Sequence, residues 1–574
     1  AGDHATAERV RERIVEPSSA LIAGFDEGLS NRQAWNNAAL LAAAQLRGDA
    51  KAAEACIHGR SGLHGLLTHG LLEDGTWYEG ENYHQFAFRG LWYGVMLCEA
   101  SGRTIPPEAI DRFQRGFLAP FLSALPDFTM PSRKDSQYAV SLRQWRFAEL
   151  AELGFARRPD EALAGVLARC YEPDHERRDT GRSRSTADVD RNQPSARLTR
   201  ADLGWRALLH ALPELPPLAP DPPRSAHLRG QGIAIFRRPD DIYVALDYGQ
   251  SGLGHGHPDR LNLMLSHGAT RWLDDLGTGS YVDPTLHWYR STLAHNAPLA
   301  DSHSQRQGDG ALLAYDEGDD FGWVKARYTD EDVVFTRTLC VTPEYMVDDV
   351  TWSAPRDVRV ELPWHLAADC DAVTFAPSDL DGGTGLEDGF SFVGDCRATP
   401  LRGGEPIQLI ARRDGRELRV TLVADVSAKL FLAHGPGQPA ANVRPFYVVR
   451  ATRSHGRFRA IVAWSAGVSS AQFDSDTFVV EYQNGVRHAH RATEAGWQVD
   501  VRSDSAAQPR SVQLTGLESS SSQSLRSSMP GGVTLRRAVR TAGWLSDQNR
   551  RTRSAMIVRE LSEANYRRSE ESWQ

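Results

Sequence analysis

Apolar residues recur at helical spacing in Ala5–Val15, Asn31–Arg47, Asn82–Ala100, Pro107–Leu122, Ser136–Glu152, Asp160–Cys170 and Arg200–Ala211, with Gly, Pro and Asp between them. The pattern predicts consecutive helices that pair into hairpins and stack as a bundle or toroid. Arg177–Thr199 is polar and reads as a loop. The period changes after LPELPPLAPDPPR at 212–224, a Pro-rich linker. Beyond it, GIAIFRR, IYVALDY, DVVFTRTLCV, RVELPWHL, ELRVTLVADV, FYVVRATR, FRAIVAW and TFVVEYQ are strand-like runs broken by turn residues. Many strands without intervening helices predict a sandwich of antiparallel sheets. The expected architecture is α+β and multidomain: a helical domain over 1–211, the linker, a β-sandwich over 225–516, and a Ser-rich linker with a charged tail over 517–574.

Composition narrows the function classes. The 574 residues suffice for at least two large cores. A net charge of −9 argues against nucleic acid as the main partner, yet leaves room for an anionic ligand held by a local basic patch. No apolar run reaches the length of a membrane span, and residues 1–20 lack a signal-peptide core. Compartment therefore stays open between periplasmic, secreted and cytoplasmic. The six cysteines are scattered without a CxxC, and buried free thiols are expected.

The densest chemistry lies in Gly254–Asn296. His255 and His257 alternate, which in an extended strand puts both on one face. Asp274, Asp275, Tyr281, Tyr289, Arg290 and His295 follow; His267 and His287 receive no role. Imidazole and carboxylate together suit a transition-metal site. Two patches in the helical half complement the segment. Asp74–Arg89, DGTWYEGENYHQFAFR, carries Asn82, Tyr83 and His84 into a helix. PSRKDSQY at 131–138 offers Arg133 and Lys134, with Tyr138 expected in the first turn of the next helix. His and Tyr serve as base and acid when they flank one bond, and Arg and Lys hold carboxylates.

This ordered set resembles the heparinase II/III-like polysaccharide lyases, from about residue 60 to residue 500. HGHPD at 255–259, DLGTGSY at 275–281 and YRSTLAHN at 289–296 are its specific part; EGENYH at 79–84 and RKDSQY at 133–138 add to it. The NYH form is most similar to the exo-acting oligoalginate lyases, with exo-acting heparin lyases close to it. The resemblance implies an (α/α) toroid joined to an antiparallel β-sandwich, with more toroid helices than the sequence shows before residue 211. The chain is accordingly expected to start inside the family's full length. The implied activity is a carbon–oxygen lyase reaction, β-elimination at a uronic acid that leaves a 4,5-unsaturated end. Asn82 would bind the uronate carboxylate, His84 would be the base, and Tyr138 the acid, serving as both on some epimers. His255 would orient the uronate, and Arg133, Tyr281 and Arg290 would contact substrate. His257, Asp275 and His295, with Asp274 as the alternative middle ligand, would hold one structural zinc or other divalent ion. No organic cofactor is implied.

Three other readings compete. A glycoside hydrolase would use carboxylates from Glu79, Glu81 and Asp135. A non-catalytic polysaccharide-binding protein would stack sugars on Trp77, Tyr78, Trp92 and Trp288. A zinc hydrolase would lose activity on chelation without losing its fold. Alginate, heparin/heparan and other uronate polymers satisfy the lyase chemistry equally, and the sequence specifies neither exo nor endo action nor an oligomeric state.

Overall fold

The structure is a computed structural model that describes residues 3–172, 198–218, 223–249, 253–366, 368, 370–371, 373–503 and 510–516. Most of the loop expected at 177–199, and the Ser-rich linker and tail from 517 onward, lie outside the described residues.

The helix Asn31–Arg47 starts where the Ser30 side chain accepts from the Gln33 N–H, and it stops at Gly48, whose φ is +66°. It packs against the helix Glu81–Ala100, where a Cβ on Gly90 would stand 2.9 Å from the Ala34 backbone. Close helix approach thus requires glycine at that position. The stretch expected as one helix over Pro107–Leu122 breaks at Gly116, into Pro107–Gly116 and Ala119–Leu122. Three elements escaped the periodicity, Glu16–Ala23, Ala50–His58 and the turn of helix over Leu63–Gly70.

The larger departure is at 136–144. The helix there begins only at Trp145, and Tyr138 lies on an irregular loop instead of in a helical first turn. The loop closes on itself through Met130 N–H to Val140 C=O and Leu142 N–H to Phe128 C=O. It also bonds into the β half, through Asp135 N–H to His255 C=O and Thr278 N–H to Ser136 C=O. Lys134 and Ala139 have φ of +56° and +54°, a costly region for residues with a Cβ, held here by bonds on both sides.

The β half is three stacked antiparallel sheets. The first is a five-stranded meander, Ala226–Leu228, Ile233–Arg238, Ile242–Asp247, Asn262–His267 and Thr270–Leu273. The second, of twelve strands, is centred on the paired long strands Tyr345–Trp364 and Val443–Ala463. The third joins five strands from Val468–Asp474 to Arg510–Leu514. One face of the first sheet (Leu246, Leu263, Leu265, Trp272) packs on the second through Val324, Phe335 and Val350. Its other face (Ile233, Ile235, Tyr243, Met264) packs on Leu122 and Leu125 of the helical half. Burial on both faces explains the unbroken apolar run IYVAL. Leu212, Leu215 and Leu218 of the Pro-rich linker lie against the helical core. No described helix is long and apolar enough to cross a membrane.

Candidate active site and metal cluster

The chemistry gathers where the loop 131–144 and the start of the helix Glu81–Ala100 meet the turns around the first sheet. Asp135 is its centre. The side chain is fully buried, and each oxygen accepts three donors. Oδ1 takes His257 Nε2 at 3.0 Å, Thr278 Oγ1 at 3.1 Å and Arg290 Nε at 3.0 Å. Oδ2 takes His255 Nδ1 at 2.9 Å, the Tyr281 hydroxyl at 3.0 Å and Arg290 Nη2. Burial alone would raise the pKa of this carboxyl, but the bonds from His255, His257 and Arg290 outweigh it and hold the group ionised. His255 and His257 are not in the extended strand on which their alternation would share a face; they sit on a short 3₁₀ turn and loop before the strand Asn262–His267, and both rings nonetheless meet Asp135. Against an ionised Asp135, His255 donates from Nδ1, and its Nε2, on the other side of the ring, lies 3.6 Å from Glu79 Oε1.

Tyr83, given no role from sequence, stacks on His255 with ring centroids 3.8 Å apart, and its hydroxyl is 2.8 Å from that of Tyr281. Asn82 reaches the Asp135 carbonyl with its amide at 3.5 Å. Tyr281 is exposed, and His255, Asn82, Tyr83 and Arg290 are half-buried, so this cluster opens to solvent. Tyr138 forms the neighbouring group on the same loop. Its hydroxyl donates to Asp274 Oδ2 and accepts from Arg444 Nη2 at 3.3 Å. Arg271 and Arg444 lie over its ring at 5.0 and 5.4 Å. Burial, helped by the Asp274 charge, raises the phenol's pKa and keeps it protonated at neutral pH.

Two expected site residues lie elsewhere. His84 is fully buried in the helical core: its Nδ1 accepts from the Trp77 N–H at 3.0 Å, its Nε2 donates to the Gly116 carbonyl at 2.9 Å, and its ring stacks on Phe88. Both nitrogens are engaged and burial lowers its pKa to about 4, so it has no lone pair for a substrate. The signal was available, because His84, Phe88, Leu91 and Val95 form one helical stripe, every member fully buried. Arg133 is likewise fully buried, 3.1 Å from Asp247 and 3.9 Å from Glu81, and cannot contact substrate. Lys134 also points inward, to the Tyr78 carbonyl at 3.1 Å. The cations that border the open site are Arg290 and Arg444.

His84→Gln, which preserves one acceptor and one donor, is therefore expected to leave kcat nearly unchanged; loss of a base would cost roughly 10²-fold or more. The titration provides a second check. The unfolded chain protonates His84 as pH falls through about 6.5, whereas the folded protein resists until about 4. Stability should thus decline by about 3 kcal/mol between those values and level off below them. Thermal unfolding of the Gln variant should lack that component.

Beneath the open site, Asp259, Asp275 and His295 bring one ligand atom each within 4.8 Å of one another, all buried. Asp275 and His295 were expected there; Asp259, of the HGHPD motif, was not. The His257 ring lies 5.3 Å from that of His295. Because its Nε2 donates to Asp135, its Nδ1 is the free lone pair, and that atom is buried without a hydrogen-bond partner. Oδ2 of Asp259 and both ring nitrogens of His295 are also buried without a hydrogen bond, His295 Nδ1 lying 3.4 Å from Asp275 Oδ2. Such atoms around imidazole and carboxylate fit a divalent cation, with Asp135 in the supporting place behind a histidine ligand. Asp274 faces Tyr138 and the two arginines instead, as expected of its alternation with Asp275 on extended backbone.

Residues 220–421 match the family model described as Heparinase II/III-like, C-terminal. That segment is similar to a heparinase II/III-like C-terminal domain. No curated protein sequence matches the chain. Two heparinase III structures align with TM-scores of 0.59 and 0.58, each at 13% identity over 87% of this chain and 68% and 70% of theirs. The heparan sulfate lyase from Pedobacter heparinus aligns with 0.57, at 13% identity over 88% of this chain and 69% of its own. The helical region followed by stacked antiparallel sheets is thus the toroid and β-sandwich arrangement expected from the sequence. The segment matched by the family model contributes His255, Tyr281, Arg290 and the candidate metal cluster, while Asn82, Tyr83, Asp135 and Tyr138 come from the helical half.

Proposed function

We propose that the protein is a polysaccharide lyase that cleaves a uronic-acid-containing anionic chain by β-elimination. One observation carries the reading: the groups that reach solvent are phenol, imidazole, amide and guanidinium, while the neighbouring carboxylates are buried and engaged. Asp135 is saturated with donors, Glu81 is fully buried beside Ser123 and Arg133, and Glu79 accepts from Asn31 and Trp77 through Oε2 while its Oε1 lies 3.6 Å from His255 Nε2. A hydrolase needs two carboxylates facing the bond, and of these three only Glu79 borders the cluster. Trp77, Tyr78, Trp92 and Trp288 are all buried, which removes the stacking platforms of a binding module.

In the elimination, His255 Nε2 takes the C5 proton, with the imidazole oriented by Asp135. The electron pair of the broken C5–H bond forms the C4–C5 double bond as the C4–O4 bond breaks. Tyr138 gives its proton to the departing O4. Asn82 and Arg290 neutralise the uronate carboxylate, so that charge delocalised from C5 is stabilised. His257, Asp259, Asp275 and His295 would hold a zinc or similar ion, which would fix the turns beneath the site. Their burial leaves no open coordination position for substrate, which favours a structural ion over a zinc hydrolase.

Alginate oligomers are one substrate class; support for that branch came from the NYH motif, whose His84 lies in the core. The fold neighbours include a heparan sulfate lyase, which favours heparin/heparan as the second reading. Ultraviolet absorbance of the conjugated unsaturated uronate, followed with alginate, heparin, heparan and chondroitin, tests the proposal. A rise on one of them names the substrate; new reducing ends without a rise would replace the lyase by a hydrolase. Chelation is expected to lower the unfolding temperature, with activity falling only as the fold loosens.

A further inference from the structure

Arg444 lies outside the heparinase II/III-like segment and carries no sequence motif, yet it touches the hydroxyl of Tyr138. It is the second residue of the strand Val443–Ala463 and pairs with Gly435 across the hairpin that follows the strand Ala428–Pro436. That hairpin is fastened to the substrate-side turn. Gln438 Nε2 donates to the carbonyls of Leu276 at 2.5 Å and Thr278 at 3.0 Å, and the Tyr289 hydroxyl donates to the Gly437 carbonyl at 2.5 Å. The backbone that carries Arg444 is thus fastened beside the site, and its guanidinium bonds to Asp274 Oδ2 and the Tyr138 hydroxyl at 3.3 Å each.

The charges at Tyr138 are unequal in availability. Asp274 accepts from the phenol and faces both arginines, Arg271 at 3.6 Å and Arg444 at 3.3 Å. Arg271 is 7% exposed and also faces Asp127 at 3.6 Å, so it is enclosed between two carboxylates. Arg444 is 23% exposed and faces Asp274 alone, through one nitrogen. Its Nε donates to none of the described residues. A fixed, partly open guanidinium beside the proton donor suits a planar anion that can take two parallel bonds.

We propose that Arg444 is a further substrate-binding residue, which receives the carboxylate of a uronic-acid unit and makes the site select uronates over the corresponding neutral sugars. The assignment rests on the lyase reading for the place of Tyr138, but its test separates the two. Binding is measured by calorimetry on the full-length Tyr138→Phe protein. The probes are size-fractionated heparin and alginate oligosaccharides, each before and after chemical reduction of the carboxyl groups. Arg444→Ala in that background should weaken binding of the native oligosaccharides roughly 10- to 100-fold. Binding of the reduced ones should stay as it was, and Arg444→Lys should restore part of the loss. A purely structural Arg444 would weaken both sets alike, with a lower unfolding temperature, and that result overturns the proposal, as does no change or no binding of any probe. Wild-type protein is assayed in parallel for the unsaturated product. Charge-selective binding without product would remove the lyase and leave the carboxylate site; product with unaltered selectivity in Arg444→Ala would remove Arg444 and leave the lyase.

Discussion

Tyr138→Phe is expected to lower kcat by roughly 10²- to 10⁴-fold, the span contributed by a positioned proton donor, with the fold intact. The ring stays between the guanidinium groups of Arg271 and Arg444, which face it at 5.0 and 5.4 Å, so packing is preserved. What disappears is the hydroxyl that donates to Asp274 and accepts from Arg444. Asp274 still has both arginines, so no charge is left unpaired, and the stability cost should be that of a single hydrogen bond, about 0.5–1.5 kcal/mol. Because burial and the Asp274 charge raise the phenol's pKa, the active protonated form persists through neutral pH. Activity should fall only as pH rises through that raised value, above the ordinary tyrosine range near 10. A Phe variant with near wild-type turnover would move the acid role away from this loop.

The parts of the site legible in the sequence are those carried on short, continuous stretches. His255, His257, Asp275, Tyr281, Arg290 and His295 lie within one segment, and turns beside adjacent strands place them near one another, although the carboxylate that ties four of them together, Asp135, comes from the helical half. The change from helical period to strand-like runs gave the architecture for the same reason: burial of one face is a local pattern. The errors arose where tertiary contacts decide. Arg133 and Lys134 read as cations for a substrate carboxylate, yet the loop that holds them lies between the two halves of the molecule, where Asp247 and the Tyr78 carbonyl receive them. The helix expected from Ser136 is displaced because this loop bonds to His255 and Thr278, partners that no local propensity reports. Arg444 is contributed by a hairpin 306 residues from Tyr138, and no pattern along the chain announces it. His84 differs from these, because the apolar stripe through Phe88, Leu91 and Val95 placed it in the core, and a motif reading overrode the periodicity.

Asp135→Asn should have the broadest effect of any single replacement. The amide matches the carboxylate in size, but it presents one acceptor oxygen where the site has donors at two. Whichever way it turns, its NH₂ faces three donors, either His257, Thr278 and Arg290 Nε, or His255, Tyr281 and Arg290 Nη2. The guanidinium of Arg290 also loses its counter-ion beside a fully buried group. Arg290 is about a third exposed and stays solvated, so the cost is that of buried donors left without an acceptor, about 1–3 kcal/mol, and the unfolding temperature should fall clearly. Activity should fall by more than the loss of folded protein accounts for, because the same oxygen atoms orient His255 and Tyr281 on the open side and fix the His257 tautomer on the metal side. Metal content measured on the purified variant should drop together with kcat, whereas Tyr138→Phe should retain its metal. This difference separates a group that supports both sites from one that acts in the open site alone. Were Asp135→Asn to keep its unfolding temperature and its turnover, the hydrogen bonds converging on this carboxylate would not be what holds the two halves of the site in register.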